Sequence, residues 1–333
     1  MALKDELIAK AKDASSYLVI KKILQKVFCR YERKDDRFIP GLININRCNL
    51  KRKEFFINSN SNKISAYYYN NNSNKLIVFC HGLKSSSDDY IPFINFFYNN
   101  GFDIISFNST GTCESEGEYI FGMSQLLIDL DNVLNYIDND NILSKKDIYL
   151  FGHSWGGYSV CSVLNIHKNI KKVVSISGFN DAASILVDIG MYYGGNIAGL
   201  PKKYIDRYQE ELFGKYLDYK AIDGINNSSA SVFLAHGKSD MIIKFNVHSI
   251  VSKIDMITNE NIKIYIGRDY NAGHTNILYS KEAIDYQKEV DKKIKDFDDE
   301  SEELIKYIET VDHYKYSEIN GELFSKILDF YNK

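Results

Sequence analysis

The spacing of hydrophobic positions changes near residue 55. Residues 3–28 carry apolar side chains at helical spacing with lysines between them, which predicts an amphipathic helix. From residue 55 onward, short apolar runs of strand length alternate with segments of helical periodicity. The predicted strands are FFINSN, ISAYYYN (64–70), KLIVFCHG (75–82), DIISFN (103–108), DIYLF (147–151), VVSIS (173–177), SVFLAHG (231–237) and IKIYIG (262–267), with helices near 88–99, 123–138, 156–167 and 246–256.

Repeated strand–helix units of this length predict one mostly parallel sheet with helices on both faces. We therefore assign residues 55–333 to one α/β domain and residues 1–54 to an N-terminal helical extension. About fifty residues separate VVSIS from SVFLAHG, far more than a simple crossover needs. We interpret this segment, at about 180–229, as a helical cap over the carboxyl ends of the strands, where ligands bind in such sheets. A charged helical segment begins near residue 281.

The sequence FGHSWGG (151–157) places one serine between glycines, directly after a predicted buried strand and before a predicted helix. This is the context of a G-x-S-x-G nucleophile elbow, filled by Gly152, Ser154 and Gly156. The tight turn presents the serine hydroxyl clear of the backbone, and the helix N-terminus behind it favours a developing oxyanion. A plain strand–turn–helix packed through small residues is the alternative interpretation.

A nucleophilic serine needs a base and a carboxylate that orients the base. His274 lies in the loop after IKIYIG, and Asp240 follows the strand SVFLAHG. Ser154, Asp240 and His274 thus come in the chain order of serine α/β enzymes, each beyond the carboxyl end of a different strand. Asp181 and then Asp269 rank below Asp240 as the acid. Two further histidines that follow the elbow, His248 and His313, lie in predicted helices and are weaker candidates for the base.

The motifs FCHGL, FNSTGTCESEG, GHSWGG, HGKSDMII and AGHTN resemble the motif series of α/β-hydrolase serine enzymes over residues 55–280, most closely capped bacterial esterases, acyl hydrolases and serine-aminopeptidase-like members. The resemblance implies an α/β-hydrolase fold. It also implies an oxyanion hole formed by the backbone N–H groups of Leu83 and Trp155. The remaining elbow and support residues are Gly152, His153, Gly156, Gly157, His81 and Gly82. The second motif departs from the family pattern, because Asn108, Thr110 and Cys113 replace the usual Asp, Arg and Gly.

These features predict a serine hydrolase of the carboxylesterase or lipase-like type that works through an acyl-enzyme on Ser154. The tyrosine-rich cap, with Tyr192 and Tyr193 as candidate pocket residues, favours a small to medium ester with an apolar or aromatic acyl or alcohol group. An aminopeptidase or amidase is the alternative, and acidic cap residues that could bind an α-amine would favour it. A thioesterase or acyltransferase would use the same residues. A catalytically silent binding protein on the same fold is the non-enzyme alternative.

Composition and charge bear on whether the protein binds nucleic acid, a cofactor or a membrane. A net charge of −3 argues against general nucleic-acid binding, and neither the cysteine spacing nor the acidic loops indicate a metal or an organic cofactor. No apolar run is long enough for a membrane span or a signal peptide, which predicts a soluble cytoplasmic protein.

The two ends of the chain carry opposite charge. Residues 1–53 have a net charge of +8 and residues 281–312 a net charge of −6, so we expect the two ends to pack together. The basic first helix could also contact a membrane surface, and the ends could support a homodimer.

Overall fold

One mixed sheet forms the centre of the molecule. The computed structural model describes residues 2–192 and 199–333, with side chains from residue 10 onward. In this part of the chain, eight strands form one sheet in the order β1-β2-β4-β3-β5-β6-β7-β8. The strands are β1 (Lys53–Ser59), β2 (Asn62–Tyr69), β3 (Lys75–Cys80), β4 (Asp103–Phe107), β5 (Asp147–His153), β6 (Lys172–Ile176), β7 (Ser231–Gly237) and β8 (Ile262–Gly267). β2 runs antiparallel to its neighbours β1 and β4, and the pairings from β4 to β8 are parallel. The predicted α/β fold with a mostly parallel sheet is therefore confirmed.

Helices precede, connect and follow the strands. They are α1 (Ala2–Val27), α2 (Ile91–Asn99), α3 (Gln125–Asn139), α4 (Trp155–Ser162), α5 (Ala182–Tyr192), α6 (Lys202–Phe213), α7 (Ala221–Asn226), α8 (Phe245–His248), α9 (Lys281–Ile294), α10 (Glu302–Glu309), α11 (His313–Tyr316) and α12 (Gly321–Asn332). The continuous helix expected near 246–256 is wrong. The chain forms the short α8 and then a 3-10 segment, Val251–Met256, because the backbone leaves the helical conformation at Ser249 (φ −58°, ψ 137°) and again at Lys253 (φ −112°, ψ 25°).

The central strands bury both of their faces, which explains their continuous apolar sequences. Along β3, Leu76, Val78 and Cys80 belong to one buried cluster, whereas Ile77 and Phe79 belong to a second cluster on the opposite face. This separation follows from the two-residue period of a strand. Buried side chains of α3 and α4 complete the first cluster, and those of α2 and α12 complete the second.

The segments outside the strand–helix repeat lie against this core. Helices α5, α6 and α7 are inserted between β6 and β7. Helix α1 contacts α6, where Tyr204 of α6 donates a hydrogen bond to Asp13 over 2.8 Å. At the other end of the chain, Tyr314 donates to the Arg47 carbonyl over 3.1 Å, and Ser317 donates to the Gly41 carbonyl over 2.7 Å. Among the helices that the structure describes, none is long and apolar enough to cross a membrane.

Candidate active site

Ser154 occupies the turn between β5 and α4 in a strained backbone conformation. Its φ of 58° and ψ of −113° lie in a region that residues other than glycine rarely adopt. The turn ends β5 at His153 and starts α4 at Trp155, so Ser154 stands at the N-terminus of that helix. The partial positive charge of the helix end favours negative charge that develops next to it.

Gly152 and Gly156 permit this turn because their neighbours leave no room for a side chain. A Cβ atom on Gly156 would lie 2.2 Å from the Cys80 carbonyl oxygen at the end of β3. A Cβ atom on Gly152 would lie 2.2 Å from the carbonyl oxygen of Gly156. Strand and helix backbones thus approach each other directly, and Gly157 continues the first turn of α4.

The structure brings Ser154, His274 and Asp240 into one hydrogen-bonded row. His274 Nδ1 lies 2.7 Å from Asp240 Oδ2, and His274 Nε2 lies 2.8 Å from Ser154 Oγ. Since a carboxylate only accepts, Nδ1 carries the proton and Nε2 is left to accept the Ser154 hydroxyl. Ser154 is 8% exposed and the His274 side chain is 9% exposed, so little solvent reaches this row.

Asp240 is held as a carboxylate by more than His274. Burial alone would raise its pKa, but hydrogen bonds from His236 and His274 outweigh that effect and keep the pKa well below its usual range. His236 Nε2 lies 3.2 Å from Asp240 Oδ2. The other carboxylate oxygen accepts the backbone N–H groups of Ile242 and Ile243 over 2.9 and 2.8 Å. The orienting acid therefore stays ionised throughout the neutral range.

None of the rival acids and bases contacts His274 or Ser154 through a hydrogen bond among those the described residues form, and two of them, Asp181 and His248, have other partners. Asp181 accepts the backbone N–H of Ala183 over 2.9 Å at the start of α5. Asp269, at φ 57°, lies in the loop between β8 and His274. Among the rival histidines, His248 contacts Asp188 over 2.9 Å, and His313 begins α11. The sequence ranking of Asp240 over Asp181 and Asp269 thus agrees with the contacts of His274.

Leu83 and Trp155 follow the carboxyl ends of adjacent parallel strands. Cys80 of β3 pairs with Gly152 of β5, which places the two loops side by side. A Cβ atom on Gly82 would lie 3.7 Å from Ser154 Cβ, so the β3 loop approaches the serine closely. The Trp155 side chain is fully buried and donates its indole N–H to the Met123 carbonyl over 2.6 Å. This indole bond fixes the residue that follows the serine.

His81 supports the β3 loop from inside. Its Nε2 accepts the Ser109 N–H over 3.1 Å, so Nδ1 carries the proton and donates to the Gly82 carbonyl over 2.7 Å. Burial lowers the pKa of His81 to about 4, which keeps the ring neutral. The ring thus ties the loop after β3 to the loop after β4.

The departures from the family motif are compensated by other polar contacts. Thr110 donates both its backbone N–H and its hydroxyl to the buried Asp129, each over 2.8 Å. Asn108 accepts the Ser87 N–H over 2.8 Å and donates to Glu114 over 2.8 Å.

An arginine from another part of the chain holds the same loop. Arg30 donates to the carbonyls of Ser115 and Gly117 over 2.7 and 3.0 Å. Cys113 adopts φ 47°, the conformation in which glycine is the usual residue.

The candidate pocket residues of the cap are only partly described. Tyr192 is 56% exposed at the end of α5, and Tyr193 lies outside the described residues. Helix α6, in the segment expected to form the cap, contacts the loop before α3, where Tyr208 donates to the Phe121 carbonyl over 3.0 Å. Within the described ranges, no group of three or more His, Cys, Asp or Glu side chains is arranged to hold a metal ion.

Sequence reasoning did not identify three neighbours of the row. Tyr90 contacts His153 over 2.8 Å, Ser177 donates to the His274 carbonyl over 3.1 Å, and His236 contacts Asp240. His236 opens the HGKSD motif, so its strand-end position was a usable signal. Tyr90 and Ser177 carry no local signal, because their roles depend on contacts between distant segments.

Comparison with known proteins identifies the architecture. A family model described as alpha/beta hydrolase fold matches residues 75–197. An esterase of Pyrococcus furiosus superposes with a TM-score of 0.57 at 18% identity, covering 81% of this chain and 96% of that one. The chain has an α/β-hydrolase fold. The resemblance to esterases and peptidase-like members of that fold, expected from the motifs, is thereby confirmed.

Two further matches span less than half of the other protein's length. The α/β-hydrolase chain superposes on an acylaminoacyl peptidase of Pyrococcus horikoshii with a TM-score of 0.52 at 15% identity, covering 78% of this chain and 44% of that one. An uncharacterized 31.7 kDa protein of Escherichia coli is 31% identical over 107 residues, which are 32% of this chain. The chain matches 37% of the length of that curated relative.

Proposed function

We propose that this protein is a serine hydrolase that cleaves carboxylic esters through an acyl-enzyme on Ser154. One observation carries the proposal: His274 lies within hydrogen-bond distance of both Ser154 Oγ, at 2.8 Å, and Asp240 Oδ2, at 2.7 Å. A nucleophile, a base and an orienting acid are thus aligned before any substrate binds. The fold shared with an esterase is consistent with this chemistry but does not define the substrate.

In the first half of the reaction, Ser154 Oγ attacks the ester carbonyl carbon while its proton passes to His274 Nε2. The carbonyl π electrons move to oxygen, and the backbone N–H groups of Leu83 and Trp155 are the proposed donors to that oxyanion. The intermediate then expels the alcohol, which takes the proton from His274. Asp240 stabilises the imidazolium that forms between these steps.

In the second half, water replaces the alcohol. His274 accepts a proton from the water as its oxygen attacks the acyl-enzyme carbonyl, and the carboxylic acid leaves as the Ser154 hydroxyl is restored. A thioester would enter the same cycle with a thiol as leaving group. An acyltransferase would admit an alcohol or amine in place of water.

An ester with an apolar or aromatic group is preferred because of the side chains around the site. Ile185, Leu186 and Ile189 of α5 belong to the same buried cluster as Leu83 and Trp155. We therefore expect the cap to offer an apolar environment to the acyl or alcohol group of the ester.

Of the acidic cap residues that would favour an aminopeptidase, Asp181, Asp188 and Glu211 already face cations of this chain. Asp181 lies 3.5 Å from Lys220, Asp188 pairs with Lys244 and His248, and Glu211 lies 2.9 Å from Arg207. A carboxylate that already faces a cation is a weaker site for a substrate α-amine. These pairings favour the ester proposal over the peptidase alternative.

The test is steady-state kinetics with p-nitrophenyl esters from acetate to octanoate, beside a thioester and an aminoacyl p-nitroanilide. We expect ester turnover that falls about ten-thousandfold or more in Ser154→Ala. Ser144→Ala is the matched control and should retain wild-type turnover, because Ser144 is exposed in a 3-10 segment that precedes β5, at the end of the strand opposite to Ser154. Anilide turnover without ester turnover would transfer the proposal to the peptidase class. Ester turnover that survives Ser154→Ala would refute the acyl-enzyme mechanism.

A further inference from the structure

Two buried polar side chains next to the candidate row take no part in the chemistry proposed above. Tyr90, which directly precedes α2, is 6% exposed, and His153, which precedes Ser154, is 3% exposed. Their polar atoms meet at 2.8 Å between Tyr90 Oη and His153 Nδ1. A buried tyrosine hydroxyl and a buried imidazole so close to a reacting serine call for a functional explanation.

The direction of each hydrogen bond follows from its acceptor. His153 Nε2 lies 3.1 Å from the His274 carbonyl oxygen, which can only accept, so Nε2 carries the proton. His153 Nδ1 is then the acceptor for the Tyr90 hydroxyl. Tyr90 Oη in turn accepts the Gly82 N–H over 3.0 Å. The donors and acceptors therefore form one continuous chain from Gly82 through Tyr90 and His153 to His274.

This chain links the loops that carry the reacting groups. Gly82 directly precedes Leu83 in the loop after β3, His153 directly precedes Ser154, and the His274 carbonyl belongs to the proposed base. Ser177, after β6, donates to the same carbonyl over 3.1 Å. A shift in any one loop would therefore stretch a buried hydrogen bond to the next loop.

We propose that Tyr90 and His153 are positioning residues that hold the oxyanion loop, the nucleophile turn and the histidine loop in their reactive arrangement. This inference rests on the proposed function. Neither side chain hydrogen-bonds to the reacting atoms. Tyr90 acts through the Gly82 N–H. His153 acts through the His274 carbonyl and by packing against the His274 ring, with the ring centroids 5.0 Å apart.

The buried surroundings of His153 keep its ring uncharged and fixed in place. Burial lowers the pKa of His153 to about 3, so the ring keeps one proton and one acceptor throughout the neutral range. Hydrogen bonds in such a water-poor interior are directional and costly to leave unmade. A displacement of about 1 Å at a catalytic group can cost on the order of a hundredfold in rate.

The first test is Tyr90→Phe, which removes the hydroxyl and keeps the ring that packs against Phe79 and Phe93. We expect kcat on the best ester to fall about tenfold to a hundredfold while KM changes little, because geometry and not ester binding is impaired. The matched control is Tyr331→Phe, a fully buried tyrosine that donates to the Leu150 carbonyl over 2.7 Å. It should lose thermal stability and keep kcat. Wild-type kcat in Tyr90→Phe would overturn the inference.

The second test separates the two hydrogen bonds of the His153 ring, which Nδ1 accepts from Tyr90 and Nε2 donates to the His274 carbonyl. In His153→Gln, the side-chain amide can still donate to the His274 carbonyl, whereas His153→Leu loses both hydrogen bonds. We expect kcat to decrease in the order wild type, His153→Gln, His153→Leu. Equal kcat in the two variants would contradict a role for the Nε2 donor.

A readout independent of activity is available from ¹⁵N-labelled histidine in NMR. His153 should show the neutral Nε2–H form, unchanged between about pH 5 and 8, and its resonances should shift in Tyr90→Phe. A His153 ring that titrates within that range would overturn the hydrogen-bond chain. Ester turnover that is insensitive to Ser154→Ala would instead refute the proposed function, so the two failures are distinguishable.

Discussion

Polar contacts occur both in the candidate site and where α6 meets α1, but the two sets differ strongly in their exposure to water. In the site, the Asp240 and His274 side chains are 0% and 9% exposed. Between α1 and α6, the Asp13 and Lys203 side chains form an ion pair at 44% and 65% exposure. Exposed pairs are screened and contribute little, whereas buried hydrogen bonds fix geometry.

The attachment of α1 therefore depends on its apolar side chains. Tyr17, Ile20 and Leu24 are buried in the cluster that also contains Tyr204 and Tyr208 of α6. The molecule thus uses buried polar contacts where atomic positions matter for chemistry and apolar burial where a helix only has to stay attached. The predictions below test that difference.

The largest effect is expected for Asp240→Asn. The amide can no longer orient His274 as the carboxylate does, so kcat should fall about ten-thousandfold. The matched variant is Asp181→Asn, which removes the rival acid at the start of α5 and should leave kcat within a few-fold of wild type. Steady-state ester kinetics on both proteins provide the measurement. A large loss of kcat in Asp181→Asn with little loss in Asp240→Asn would show that Asp181, and not Asp240, is the acid that orients His274.

The next effect concerns the nucleophile turn. Gly156→Ala places a Cβ atom 2.2 Å from a backbone carbonyl, which only a backbone shift can relieve. The free energy of unfolding should fall by about 3 kcal/mol. Gly321→Ala is the control, because a Cβ atom there meets no heavy atom within 4 Å. Chemical denaturation that shows equal stabilities for the two variants would contradict the close strand–helix approach.

A smaller effect is expected from pH. The pKa of His153 is lowered to about 3 and that of His81 to about 4, both by burial, so the unfolded chain binds protons at these positions before the folded chain does. Their stabilising contribution is complete above the unfolded histidine pKa of about 6.5 and is lost as pH falls towards the folded values.

The unfolding free energy should therefore decrease by about 1.4 kcal/mol per pH unit for each histidine between about pH 6 and 4.5. His153→Gln should reduce that slope by the contribution of one histidine, about 1.4 kcal/mol per pH unit. Denaturation series at several pH values measure it. An unchanged slope in the variant would show that His153 is not held neutral by the fold.

The smallest effect is expected for Lys203→Gln, which removes the exposed partner of Asp13. Thermal unfolding should show no measurable change. Leu24→Ala is the contrasting variant, because Leu24 is 0% exposed and its truncation should cost about 3 kcal/mol. If Lys203→Gln destabilised the protein as much as Leu24→Ala, the ion pair rather than apolar burial would attach α1.

The fold and the proximity of Ser154, Asp240 and His274 could be predicted from the sequence because each depends on local signals. Ser154 follows a strand and precedes a helix, and Asp240 and His274 follow strands that end at the same edge of the sheet. Periodicity failed at 246–256, where the apolar spacing gave no sign that the helix ends at Ser249.

Contacts between distant segments escaped the same reasoning. Tyr90 and His153 are separated by 63 residues, and nothing near Tyr90 in the sequence marks it as a hydrogen-bond partner. The sequence shows that Thr110 replaces the usual arginine of the motif, but it does not show which other arginine contacts this loop. Arg30 reaches the loop from a segment 85 residues away, so only the fold reveals that contact.

The central claim is that Ser154 is the nucleophile that forms a covalent intermediate. The most direct measurement is mass spectrometry of the protein after reaction with a fluorophosphonate probe, followed by peptide mapping. The account predicts one adduct on the peptide that contains Ser154, absent in Ser154→Ala and formed more slowly in Asp240→Asn. An adduct on another residue, or equal labelling of wild type and Ser154→Ala, would contradict it.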